Sequence, residues 1–216
     1  MTNYKLYYFK ARGRTESIRL LFTILGVPFE DIRYSDEEWE KHRHEMPLGL
    51  MPVLEVDGKR FSSSTAILRY IANEYGLAGK DKFERAVVDQ FGTHIYDISN
   101  SPGVKGWWLV THDMHEDPQY KGEEGKKLYV RTKVAEDIEE FTPVLEKYIS
   151  QNPHGVLVGD SFTWADILLA EQYAKFLDFG DPHSLDKYPH VRALVKKVHD
   201  HPRIAKYIAT RPATLD

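Results

Sequence analysis

The sequence predicts an α/β module over residues 1–76, a linker at 77–82, and an all-helical domain over 83–216. Strand and helix patterns alternate as far as Tyr75, after which the strand signals largely vanish. Within the first part, Asp57-Gly58 stands between the apolar run Val53–Val56 and a returning strand Lys59–Phe61, a strong two-residue hairpin signal. The stretch Gly76-Leu-Ala-Gly-Lys-Asp-Lys82 is a linker by composition.

Tyr4–Phe9 is the first expected strand, dense in aromatics and free of breakers. A loop with Gly13 follows, and Ile18, Leu21, Phe22 and Leu25 then fall at i, i+3, i+4 and i+7, closed by Gly26. Phe29–Tyr34 completes a βαβ unit, and Ser35-Asp36 caps a short helical segment carrying Trp39 and Arg43. After the hairpin, Ser62-Ser63-Ser64-Thr65 offers hydroxyl caps to a helix bearing Ile67, Leu68, Ile71 and Ala72. Pro52 has no N–H for a ladder, so it marks an edge strand or a special turn.

Beyond the linker, Val87, Val88, Phe91, Ile95 and Ile98 give one helical face, which Ser101-Pro102-Gly103 ends. Residues 101–125, rich in Gly, Pro and acids, read as an extended connection, although Trp107-Trp108-Leu109-Val110 could instead continue a helix and pack on its partner. Val134, Ile138, Phe141, Leu145 and Ile149 make a second stripe, with an irregularity expected at Pro143. Thr163 with Asp166 three residues on is a capping box, and Phe162 with Ile167 can form its staple. Pro189 and Pro202 each open a further helix at its first position.

Composition is that of an ordinary globular chain: 42% hydrophobic, 29% charged and a formal net charge of −4, which gives no reason to expect nucleic acid. No apolar run approaches the roughly 20 residues needed to span a bilayer, and the N-terminus lacks the apolar core of a signal peptide, so a cytoplasmic location is expected. There are no cysteines, which excludes disulfides, cysteine zinc sites and a protein thiol nucleophile. His112, His115 and Asp117 offer ligand types without helical register or a second cluster, and no metal site is expected.

The chemistry concentrates around the hairpin. If Met51-Pro52 is cis, the backbone N–H and C=O of Met51 turn outward to meet an extended peptide. Serines at a helix start supply hydroxyl and N–H donors for a carboxylate. Together these make a site for a small anionic peptide. Tyr7 and Tyr8 must face opposite ways on their strand. On residues alone Tyr8 is a packed aromatic, Arg14 and Asp97 solvated charges, and Trp39 either core or a ligand-facing donor.

Tyr4-Lys-Leu-Tyr-Tyr-Phe9, Arg12-Gly-Arg14, Trp39 and the Met51-Pro52 to Ser64 region resemble the cytosolic glutathione transferases. Within them the likeness is to the sigma class, which includes invertebrate and nematode enzymes and the glutathione-dependent prostaglandin D synthases, and it runs from Tyr4 to Pro212. The resemblance implies a thioredoxin-like N-terminal domain and an all-α C-terminal domain. It makes Tyr8 the donor to the glutathione sulfur and Arg14 a source of positive potential behind it. Trp39 and Arg43 would hold the glycyl carboxylate, with Gly49, Leu50, Met51, Pro52, Ser63 and Ser64 lining the peptide, and Asp97 would reach the γ-glutamyl amine in the neighbouring subunit of a homodimer.

Leu50 stands where Lys or Gln is common, and Ser63 where Gln is common, so two long polar contacts are missing. Glutathione is then a co-substrate, no cofactor is required, and hydrophobic electrophiles enter between the domains. The implied alternatives are a prostaglandin isomerase, disfavoured because only Asp97 remains of that activity's acidic cluster (Thr93 and Tyr96 stand beside it), and a non-catalytic crystallin-like or ligand-carrying relative.

Overall fold

The computed structural model describes residues 2–214, which divide into two compact units, one of residues up to Leu77 together with His201–Thr214, the other of Ala78–Asp200. In the first unit, strands β1 (Tyr4–Phe9), β2 (Glu30–Tyr34), β3 (Val53–Val56) and β4 (Lys59–Ser62) form one mixed sheet in the order β2-β1-β3-β4. β1 runs parallel to β2 and antiparallel to β3, with Leu6 opposite Leu54. Asp57 and Gly58 both take positive φ (47° and 83°), as a tight hairpin turn requires.

Alternation along β1 decides which side chains meet which layer. Tyr4 and Leu6 are buried with helices α1 (Glu16–Leu25) and α3 (Ser64–Tyr75), and the Tyr4 ring lies 5.2 Å from Phe22. Tyr7 points the other way, into a cluster with Met46 and Val53 that Trp39 of α2 (Asp36–His42) and Met51 close. β3 pairs on both sides, so Pro52 marks the turn before an interior strand and not an edge. The hydroxyl cap expected for α3 is not made: its N-cap Ser63 has φ 89°, no side-chain capping bond, and its hydroxyl lies 3.3 Å from that of Thr65. α2 does carry a full capping box, Ser35 with Glu38.

The second unit is helical: α4 (Lys82–Ile98), α5 (Pro102–Thr111), α6 (Gly122–Tyr129), α7 (Ala135–Gln151), α8 (Trp164–Phe179) and α9 (Pro189–His199). α6 runs into α7 through a π-helical turn, Val130–Val134, so the irregularity falls there while the helix continues through Pro143. α4 and α8 approach closely because Gly92 has no Cβ; one placed there would lie 1.9 Å from the Trp164 ring.

Residues 101–125 depart from the expected extended connection. Pro102 starts α5 instead of merely ending α4, since its missing N–H is one a first-turn residue does not need. The buried carboxylate of Asp137 accepts the Ser101 hydroxyl (2.5 Å) and the Val104 N–H (2.8 Å), supplying from α7 the cap that the N-cap Ser101 side chain does not make. Trp107 is buried, so the packed-helix alternative holds for it, whereas Trp108 stays 48% exposed. The last helix, α10 (Pro202–Thr210), which the sequence places with the helical domain, packs on α1 of the first unit instead.

Candidate functional site

The β1–α1 loop builds the first half of the site. Tyr8 follows Tyr7 on β1 but is only partly buried, and its hydroxyl oxygen accepts the backbone N–H of Arg14 at 3.2 Å. Gly13 makes that approach possible: it sits at φ 42°, and a Cβ there would lie 2.5 Å from the Tyr8 oxygen. Tyr7 is committed elsewhere. Its hydroxyl donates to Glu55 (3.0 Å) and accepts from Arg60 (3.1 Å), and burial, then the bond to Glu55, push the phenol up from its ordinary value. The alternation expected for the pair is therefore present, and the two phenols have different work.

The second half comes from α2 and the segment before β3. Trp39 packs edge-on to Phe9 (5.7 Å between ring centres) and against the Tyr7–Met46–Val53 cluster. Its indole N–H has no hydrogen-bond partner among the described residues. Arg43 is exposed and donates from Nε to the Gly49 carbonyl at 3.3 Å, while Gly49 takes φ 59°. The Met51-Pro52 peptide is cis. The Met51 backbone N–H and C=O pair with no other described residue, whereas the Pro52 carbonyl accepts the Ser63 N–H at 3.3 Å. Ser64 is buried as the first residue of α3, whose opening N–H groups lie within the positive end of the helix dipole. Ser63 is exposed, and Leu50 is 59% exposed.

Ten of the eleven sequence-derived site residues thus lie in the first unit. The eleventh, Asp97, is exposed in the last turn of α4 in the second unit. One contributor was passed over in the sequence: Gly13, whose signal was a glycine between two arginines. Among the described residues no cluster of ligating side chains could hold a metal ion, and no helix is long and apolar enough to cross a membrane.

Residues 4–73 match the glutathione S-transferase N-terminal domain and residues 111–211 a glutathione S-transferase C-terminal domain. The chain is 38% identical to the probable glutathione S-transferase gst-36 of Caenorhabditis elegans, with 99% of both covered. Among solved structures, NaGST-2 superposes with a TM-score of 0.90 at 36% identity, covering all of both chains. A Nu-class transferase from Haemonchus contortus does so with a TM-score of 0.86 at 38% identity, again over all of both chains. A thioredoxin-like unit with a mixed four-stranded sheet, followed by a helical unit, is the architecture of the glutathione transferases. The chain belongs to the glutathione S-transferase family. It is an enzyme of that kind, with glutathione as its co-substrate.

Proposed function

We propose that this transferase is of the sigma type and joins the glutathione sulfur to small hydrophobic electrophiles, a detoxifying reaction of the cytoplasm carried out by a homodimer. The sigma assignment rests on Tyr4–Phe9, Arg12-Gly-Arg14 and Trp39. One observation carries the catalytic reading: of two adjacent tyrosines, Tyr7 is tied to Glu55 and Arg60, while the Tyr8 oxygen is oriented by the Arg14 N–H.

A free thiol titrates near about 8.5, so a bound thiolate at neutral pH needs preferential stabilisation of roughly 1.4 kcal/mol for each unit of lowering. A phenol held by an N–H on its oxygen is a better O–H donor, because polarised hydrogen bonds reinforce one another. Tyr8 donates to the sulfur, and Arg14 adds positive potential behind it. The peptide lies extended along Met51, whose N–H and C=O take its backbone; the Trp39 indole N–H and Arg43 take the glycyl carboxylate; Ser64 takes the γ-glutamyl carboxylate at the start of α3. Gly49, Leu50, Pro52 and Ser63 wall this groove, and Asp97 of the partner subunit meets the γ-glutamyl amine. Catalysis is then orientation and thiolate stabilisation, with no covalent enzyme intermediate.

The test is retention on immobilised glutathione followed by conjugation of an aryl halide. Tyr8→Phe should bind glutathione and lose roughly 10- to 100-fold in kcat/KM at neutral pH, the equivalent of one charge-assisted hydrogen bond. Parent-like activity would remove Tyr8 from the mechanism.

A further inference from the structure

Behind the Tyr8 loop lies a run of buried charges that the reaction just described does not use. Arg19, fully buried on α1, donates from Nη1 to the carbonyl of Ala11 at 2.8 Å and to Glu16 Oε2 at 3.0 Å, and from Nε to Asp31 Oδ1 at 3.1 Å. Glu16 is 1% exposed, and its other oxygen accepts Arg211 Nη1, just past the end of α10, at 3.0 Å. Asp31 is held in turn by Arg33 at 2.7 Å. Ala11 opens the loop whose Gly13 crowds Tyr8 and whose Arg14 N–H bonds its oxygen. The two arginines that grip Glu16 therefore join the C-terminal helix to the carbonyl at the root of the Tyr8 loop.

We propose that Glu16, Arg19 and Arg211 are positioning residues through which the C-terminal helix sets the hydrogen bond from Arg14 to Tyr8, and so the acidity of bound glutathione. The inference rests on the assignment of Tyr8 as donor to the sulfur. Arg19 fixes one end of a loop only a few residues long, so a small shift of Ala11 is passed to the Arg14 N–H and not absorbed. A second observation agrees. The guanidinium is over-determined on Nε and Nη1, while its buried Nη2 makes no hydrogen bond. The network thus holds its geometry although one buried guanidinium nitrogen makes no hydrogen bond. Weakening the Arg211–Glu16 link should loosen Arg19, then Ala11, then the donor to Tyr8. The peptide contacts of Met51 and Ser64 lie on different segments and should not follow.

The experiment is a pH titration of bound glutathione by its ultraviolet thiolate absorbance, with the pH profile of aryl-halide conjugation, on full-length Arg211→Leu, Arg211→Lys, Glu16→Gln and Tyr8→Phe. Arg211→Leu should move both midpoints to higher pH by roughly half a unit to one unit, the equivalent of about one hydrogen bond. KM for glutathione should stay within about twofold of the parent, and Arg211→Lys should restore most of the shift. If Arg211→Leu does not fold, Glu16→Gln, which keeps shape and one acceptor, must show the same alkaline movement. An unmoved midpoint in the folded variants overturns the proposal, as does a loss of activity uniform across pH. Tyr8→Phe separates the two levels: if it titrates like the parent, the assignment of Tyr8 fails and this inference with it. If it loses the depressed midpoint while Arg211→Leu keeps it, only the positioning role fails.

Discussion

The two units each bury a carboxylate at the start of a helix, and they handle it in opposite ways. Glu16 opens α1 at 1% exposure, and Asp166 lies in the first turn of α8 with none. Asp166 accepts three hydrogen bonds at 2.7–2.8 Å, from the Leu157 N–H and from the N–H and hydroxyl of Thr163. Even so, burial pushes its carboxyl above the ordinary range. Burial would push Glu16 up as well, but the charges and hydrogen bonds of Arg19, then of Arg211, hold it below that range. Three neutral donors leave the buried Asp166 carboxyl raised, whereas two cations leave the buried Glu16 carboxyl lowered. The first unit therefore sets its buried carboxylate among cations. The second uses its acid as a cap in a unit held by apolar packing.

The largest break in this contrast should come from Glu16→Ala. It removes the carboxylate shared by two guanidinium groups, leaving the fully buried Arg19 with Asp31 alone, and a buried ion pair broken on one side costs about 3–5 kcal/mol. Urea unfolding should show it, and a loss near 1 kcal/mol would mean water already reaches the arginines. Gly92→Ala, in the second unit, should come next at about 1–3 kcal/mol, because the new methyl meets the rigid, fully buried ring of Trp164. A variant as stable as the parent would show that α4 and α8 can separate freely.

Much of this was legible before any coordinates. The sheet, the hairpin and helices α1, α4, α8 and α9 follow from periodicity and breakers, since each signal is local. Tyr8 could be separated from Tyr7 by alternation, yet what ties up the Tyr7 hydroxyl lies in Glu55 and Arg60, some fifty residues away on another strand pair. For α5 the sequence left helix and extended connection open, because its cap, Asp137, comes from a different helix. That α10 packs on α1 was not legible, because Arg203 donates to the Ile24 carbonyl and Arg211 to Glu16, partners nearly the whole chain apart. Short-range grammar was readable; long-range pairing of polar groups was not.

The finest division between the two carboxylates is their response to pH. Glu16, depressed in the folded state, contributes stability that is fully present above the ordinary glutamate value of about 4.3 and is lost as pH falls below it. Asp166, raised in the folded state, has the opposite sign: its contribution is complete below the ordinary aspartate value of about 3.9 and is lost as pH rises through its folded value. Asp166→Asn removes that titration while keeping the shape and one of the two acceptor oxygens, so its cost should be the smallest here, about 1 kcal/mol. Above the ordinary aspartate value the parent carries the burial cost that raises its carboxyl, and the asparagine does not. The stability difference between parent and variant, followed by urea unfolding at a series of pH values, should therefore shrink as pH rises. For Glu16→Gln the same difference should shrink as pH falls. Parallel slopes for the two variants would mean that the three donors around Asp166 suffice to keep it charged, and that the arginines of the first unit serve the Tyr8 loop alone.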